Sequence, residues 1–150
     1  MAEAYNVAAK RSAGGRRDGR LKGWHAADLA GEVLKDAINT AGVSPESVDD
    51  VIMGCVGQVG EQAANIARNA VLAAGLPESV PATSVDRQCG SSQQALHFAA
   101  QAVMSGFMDC VVAAGVESMT RVPMGLSMAL PFKNGHGFYV SPHMQERYPN

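Results

Sequence analysis

Among the side chains able to act as nucleophiles, ligands or proton carriers, one is set apart by its neighbours. It is Cys89, in Val85-Asp86-Arg87-Gln88-Cys89-Gly90-Ser91-Ser92-Gln93-Gln94-Ala95. An apolar run over 80–85 ends just before it, and a helical pattern begins just after it. The first N–H groups of a helix point outward without partners and gather partial positive charge. That field favours a thiolate over a thiol, and the thiolate is the nucleophilic form. A strand–Cys–helix corner therefore suits nucleophilic chemistry. A small, buried, inert cysteine fits the same local pattern, and the neighbouring residues leave both readings open.

The other reactive groups form no such pattern. The three cysteines, Cys55, Cys89 and Cys110, are odd in number and widely spaced, and no secretory signal precedes them. That argues against a disulfide framework and for a reducing compartment, with the cytoplasm as the expected location. No CxxC or CxxH pair occurs, so no metal site is expected. Residues 10–23 are basic (Lys10, Arg11, Arg16, Arg17, Arg20, Lys22) and rich in glycine (Gly14, Gly15, Gly19, Gly23). A basic glycine loop invites a phosphate-cradle reading, yet its spacing fits neither the P-loop nor the dinucleotide fingerprint. A plain surface loop is expected there, and no cofactor. Asp18 and the glycines also interrupt any organelle-targeting amphipathic helix.

Bulk properties exclude further classes. The chain has 150 residues, a size that fits one domain with a real core. Apolar residues make up 47% and charged residues 17%, as in folded globular proteins rather than disordered ones. A net charge of −2 gives no general attraction to nucleic acid or anionic membrane. No stretch approaches the roughly 18 apolar residues of a membrane span.

The elements that must position Cys89 follow from periodicity. Residues 4–9 read as a short first strand, and 25–41 as a helix with Leu29, Ala30, Val33, Leu34, Ala37, Ile38 and Ala41 on one face. Gly42 stops this helix, and Ser44-Pro45-Glu46 opens a single turn. Val51-Ile52-Met53 is a buried strand ending at Gly54. A helix is expected over 62–74, with Asn65 and Arg68 one turn apart, as solvated surface in the favoured reading or as polar groups reaching a neighbouring loop in the other. The strand over 80–85 has Pro81 near its start, which suits a sheet edge. A helix over 90–105 buries Ala95, Leu96, Ala99, Ala102 and Val103, and Cys110 to Gly115 forms a strand covered on both faces. The alternation β-α-β-α-β-α-β predicts a layered α/β sandwich with a mostly parallel or mixed sheet.

After Gly115 the pattern dissolves. Residues 116–150 carry Met119, Met124, Met128 and Met144, four prolines, and Phe132, Phe138, Tyr139 and Tyr148. A long irregular segment with apolar side chains is expected to be a lid, a pocket or a partner surface.

The Asp86–Ala95 stretch resembles the nucleophilic-cysteine motif of the thiolases. Asp49-Asp50-Val51-Ile52-Met53-Gly54-Cys55-Val56 is similar to that family's second strand, and Gln62 to Arg68 to its next helix. Ala113-Ala114-Gly115-Val116-Glu117-Ser118-Met119-Thr120 is similar to the strand and turn that open its substrate loop. These pieces occur in the family's order along essentially the whole chain. Ala13 stands where family members usually carry proline.

The resemblance implies a thiolase-like α/β half-sandwich over residues 1–118 and the beginning of the substrate-binding loop insertion over 119–150. It implies acyl transfer with Cys89 as nucleophile and site of the acyl-thioester, and with the Cys89 backbone N–H as an oxyanion donor. Coenzyme A and acyl-CoA are then substrates, and the full-length family forms homo-oligomers. The family's Asn-Glu-Ala-Phe and Gly-His-Pro motifs do not occur in these residues, and His25, His97, His136 and His143 do not match the activating histidine. The chain thus resembles the first half of a duplicated enzyme. Two alternatives are an inactive thiolase fragment serving as an association module and a β-ketoacyl synthase relative.

Overall fold

The computed structural model describes residues 3–149. Three strands form one parallel sheet in the order β2-β1-β3, with β1 at Asp50–Gly54, β2 at Ala82–Val85 and β3 at Val111–Gly115. β1 lies in the middle, with Met53 opposite Ser84 on one side and Ala114 on the other. Helix α2 (Ile66–Ala73) joins β1 to β2, and α3 (Ser91–Met104) joins β2 to β3. Helix α1 (Ala26–Ala41) precedes the sheet.

Alternation along β1 decides which helix covers which face. Val51 and Met53 pack with Ala30, Leu34 and Ile38 of α1 and Ala67, Ala70 and Val71 of α2. Ile52 points the other way, onto Ala95 and Ala99 of α3. Three layers result: α1 and α2, the sheet, then α3. Val112 and Ala114 join the first core, and Val111 and Ala113 the second. β3 is nonetheless only half-buried, because it stands at the edge of the sheet.

Several expectations meet their tertiary context here. The α1 helix and its stop agree, with Gly42 at φ 68° in the left-handed cap. Pro45–Ser47 forms a single 3₁₀ turn. Residues 4–9 do not form the expected strand, and they make no backbone–backbone hydrogen bonds. Strand conformation needs a neighbouring ladder, and three of these six residues are alanines, poor strand formers. The segment instead lines a cleft of about 1280 Å³ together with β3, α1 and α3. Leu96 and Val103 of α3 face this cleft, so of the expected apolar face only Ala95 and Ala99 are buried.

The second helix starts later than its periodicity suggests. Ala64 and Asn65 take positive φ angles of 53° and 61°, which α-helix excludes. Gln62 therefore sits in a separate 3₁₀ turn, Gly60–Gln62. Asn65 is exposed and Arg68 half-buried, yet both reach neighbouring segments. Asn65 caps α2, donates to the Ala82 carbonyl at 2.9 Å and accepts from Ser84 Oγ at 2.9 Å. Arg68 donates to the carbonyls of Val80 at 2.6 Å and Glu78 at 2.9 Å. Together they fasten the edge strand β2 to α2.

Beyond β3, the irregular stretch contains two short helices, α4 (Leu126–Lys133) and α5 (Pro142–Arg147), neither with a buried residue. Its first turns are tied down: Arg121 pairs with Glu61 at 2.5 Å and donates to the Lys22 carbonyl, and Val122 is buried. Among the described residues, no helix is long and apolar enough to cross a membrane.

Candidate active site

β2 hands the chain to α3 through a tight corner. Asp86 Oδ1 accepts the Gln88 N–H at 2.8 Å, a local turn that aspartate favours. Gln88 then takes φ 49°, a left-handed conformation that costs a non-glycine residue about 1–3 kcal/mol. Ser91 holds the corner in this state. Its Oγ accepts the Arg87 N–H at 2.9 Å and donates to the Gln88 carbonyl at 2.6 Å. The Arg87 guanidinium reaches Gln94 Oε1 at 2.6 Å, tying the corner to the first turns of α3. Cys89 is left exposed, one residue ahead of Gly90, the cap of α3.

Two glycines set how close this corner comes to the sheet. A Cβ on Gly54, at the end of β1, would strike the backbone of Ser91 and lie 2.7 Å from Ser92 Cα. A Cβ on Gly115, at the end of β3, would lie 2.7 Å from the Ser92 side chain. The first turn of α3 therefore rests directly on the carboxyl ends of two strands. In the sequence these glycines read only as ends of apolar runs. Ser92 lies 38 residues from Gly54 and 23 from Gly115 along the chain, so no local pattern reveals the contact.

A cavity of about 440 Å³ opens here, lined by Gly54, Cys55, Val56, Gln88, Cys89, Ser91, Ser92, Gly115, Val116 and Glu117. One wall is the loop after β1 and the turn after β3, joined by two side chains that sequence reasoning did not single out. Gln62 is fully buried; its Nε2 donates to the Gly57 carbonyl at 2.8 Å and Glu117 Oε1 at 2.7 Å, and its Oε1 accepts the Ser118 N–H at 2.7 Å. Glu117 also accepts the N–H groups of Val56 at 2.8 Å and Gly57 at 3.2 Å. A glutamine and a glutamate 55 residues apart carry no signal of their pairing in the sequence.

The three cysteines occupy different settings. Cys55 lines the same cavity as Cys89 but is buried, and its thiol is pushed up to about 12, first by burial and then by the charges of Glu117 and Asp86. Cys110 lies at the opposite end of the sheet, just before β3, and burial with the nearby Asp49 charge raises its thiol as well. None of the four histidines lines the Cys89 cavity. His25 caps α1 through Nδ1, which accepts the Ala27 N–H, and His97 lines the large cleft. Among the described residues, no cluster of three or more His, Cys, Asp or Glu side chains could hold a metal ion.

Residues 5–141 match the family described as thiolase, N-terminal domain. A steroid 3-ketoacyl-CoA thiolase of Mycobacterium tuberculosis is 50% identical over 130 residues, which are 87% of this chain and 32% of that protein. A 3-ketoacyl-CoA thiolase of Pseudoalteromonas translucida is 48% identical over 112 residues, 74% of this chain and 29% of the relative. The crystal structure of the Bacillus anthracis acetyl-CoA acetyltransferase superposes with a TM-score of 0.67 at 42% identity, covering 71% of this chain and 27% of that one. The chain spans about a third of the length of the curated relatives it matches.

Proposed function

The chain belongs to the thiolase family, and on that premise we propose that it carries the nucleophile of an acyl-transfer centre acting on 3-ketoacyl-CoA. The observation that carries this reading is the setting of Cys89: exposed at a strained corner, beside the start of α3, and open to a cavity. The Cys89 thiolate attacks the 3-keto carbon, and the Cys89 backbone N–H helps to hold the oxyanion. The bond between the α and β carbons breaks, and acetyl-CoA departs after its enolate carbon takes a proton. The shortened acyl group stays on Cys89 as a thioester. A second CoA thiol then attacks it, releasing the shortened acyl-CoA and restoring Cys89. The reverse sequence is a condensation.

Residues 1–118 are then the family's N-terminal core, and 119–150 begin its substrate-binding loop. CoA and acyl-CoA act as substrates, with no resident cofactor. The whole protein works as a homo-oligomer. The odd number and wide spacing of Cys55, Cys89 and Cys110 support a reducing compartment, the cytoplasm.

Thiolysis also needs a base for Cys89 and an acid for the departing carbon. No histidine lines the cavity, and the Gly-His-Pro motif is not among these residues. A missing general base costs on the order of 10²–10⁴ in rate. The 150 residues alone are therefore expected to accept label at Cys89 but to show no useful acetoacetyl-CoA cleavage. Iodoacetamide labelling followed by peptide mass spectrometry tests the first point. Faster labelling of Cys89 than of Cys110 and Cys55 supports the reading, and equal labelling of all three sinks it.

A second reading has an observation of its own. Leu96, Phe98 and Met104 of α3 stand substantially exposed, and so do Phe107 and the Phe132–Phe138–Tyr139 cluster. Apolar groups grouped in this way favour association, as expected of a non-catalytic binding module. A single monomeric peak in gel filtration at high concentration counts against it.

A further inference from the structure

Two thiols line one cavity, and the structure treats them in opposite ways. Cys89 is presented to solvent, whereas Cys55 is 1% exposed. Cys55 belongs to the wall that the loop after β1 and the turn after β3 build together, and its burial rests on that frame. Gln62 spends its whole amide there: two donated bonds fix Gly57 and Glu117, one accepted bond fixes Ser118, and the same Nε2 lies 3.5 Å from Cys55 Sγ. Glu117 completes the frame by accepting two successive backbone N–H groups from the residues after Cys55. A buried amide with every polar atom engaged is a rigid fixture, because releasing any one bond strands a polar group away from water. Gly57 leaves little slack, since a Cβ there would lie 2.8 Å from Glu117 Oε1.

We infer that Gln62 and Glu117 are positioning residues of the Cys89 cavity: they lock the loop after β1 onto the turn after β3 and keep the Cys55 thiol withdrawn into that wall, so that Cys89 alone meets the acyl group. This rests on the proposed role of Cys89 as nucleophile. The need for such a device follows from the chemistry. A Cys55 thiolate beside an acylated Cys89 would attack the thioester carbonyl. A new C–S bond would form at Cys55, the Cys89 thiolate would leave, and the acyl group would be stranded on the wrong sulfur.

The charged groups around Cys55 agree with this role. Glu117 faces it from the turn after β3, and Asp86 from the end of β2. From α1, Ala26 and Ala27 pack on Cys55, and the adjoining His25 turns towards Glu61 at 4.0 Å. From α2, Ile66 packs on it, and the nearest charge, Arg68, is committed to the Val80 and Glu78 carbonyls. Both charges that act directly on Cys55 are negative, so both oppose a second thiolate.

The test is iodoacetamide labelling of each cysteine against pH in the 150-residue chain, with Glu117→Gln and Gln62→Met beside it. Glu117→Gln keeps the size, removes the charge and, because its NH2 cannot accept, also releases part of the frame. The Cys55 profile is expected to move down by at least one pH unit, which is about tenfold more Cys55 labelling at a fixed pH. Gln62→Met, which frees the wall, is expected to expose Cys55 at every pH. Val71→Ala serves as a control that loosens the core elsewhere; it raises labelling without moving the midpoint. Should Gln62→Met fail to fold by circular dichroism, the Glu117→Gln midpoint decides alone. A Cys55 profile unchanged in folded Glu117→Gln overturns the inference. Its failure is distinct from failure of the nucleophile reading, which shows in the unsubstituted chain as Cys89 labelling no faster than Cys110.

Discussion

Cys89 and Cys55 share one cavity, yet one stands at a strained apex and the other within a hydrogen-bonded wall. Sharing a cavity therefore does not give two thiols the same setting. At Cys89 the backbone does the work: a left-handed Gln88, a serine that bonds on both sides of the corner, and a helix that begins immediately after. At Cys55 burial and the carboxylates of Glu117 and Asp86 hold the proton on sulfur. The two settings are built from different parts, so they can be broken separately.

The largest effect is expected from Cys89→Ala. Fast alkylation and any acyl capture from acyl-CoA should vanish, while slow labelling of Cys110 persists; retained fast labelling on another cysteine would erase the distinction between the two settings. Gly54→Ala attacks both at once, because the new methyl meets the backbone under α3 beside both thiols. Overpacking of this kind costs about 1–3 kcal/mol, which a urea midpoint measures, and the ratio of Cys89 to Cys55 labelling should fall with it. Ser91→Ala touches the corner alone. It leaves the Arg87 N–H without its acceptor, at about 1–2 kcal/mol, and should slow Cys89 labelling with Cys55 unchanged.

Two smaller effects are read through pH. The Cys55 thiol is raised in the folded chain, so folding is helped below the ordinary thiol value near about 8.5. That help is lost as pH climbs from there through about 12. Cys55→Ala should flatten the alkaline fall in the urea midpoint. Asp49 sits at the far end of the sheet, where Asp109 and Cys110 N–H groups hold its carboxylate below the usual range. Its contribution is present above the ordinary carboxylate value near about 4 and disappears as pH falls through the lower folded value. Asp49→Asn should lower the urea midpoint at neutral pH, converge with the parent in acid, and leave the Cys89 to Cys55 ratio untouched.

How much of this was readable in the sequence depended on distance along the chain. α1 was legible because seven apolar residues recur at helical spacing and Gly42 stops it. The three parallel strands were legible as short apolar runs between helical patterns, and the Cys89 corner as the junction of two periods. What escaped were contacts between distant segments. Ala64 and Asn65 turn left-handed to reach β2, which delays α2 in a way its periodicity does not record. Residues 4–9 have strand composition in part, but a strand is a pairing, and no ladder partner lies beside them. The Gln62–Glu117 frame and the glycine seats under α3 needed the fold before they could be seen.

The half-covered β3 has a further meaning. Val111-Val112-Ala113-Ala114 is apolar, free of charge and of proline, and among the described strands it pairs with β1 alone. Natural sheets guard such edges with lysines, bulges or short length. Here the row of outward N–H and C=O groups along the edge that frames the cleft is a template on which another extended chain can grow.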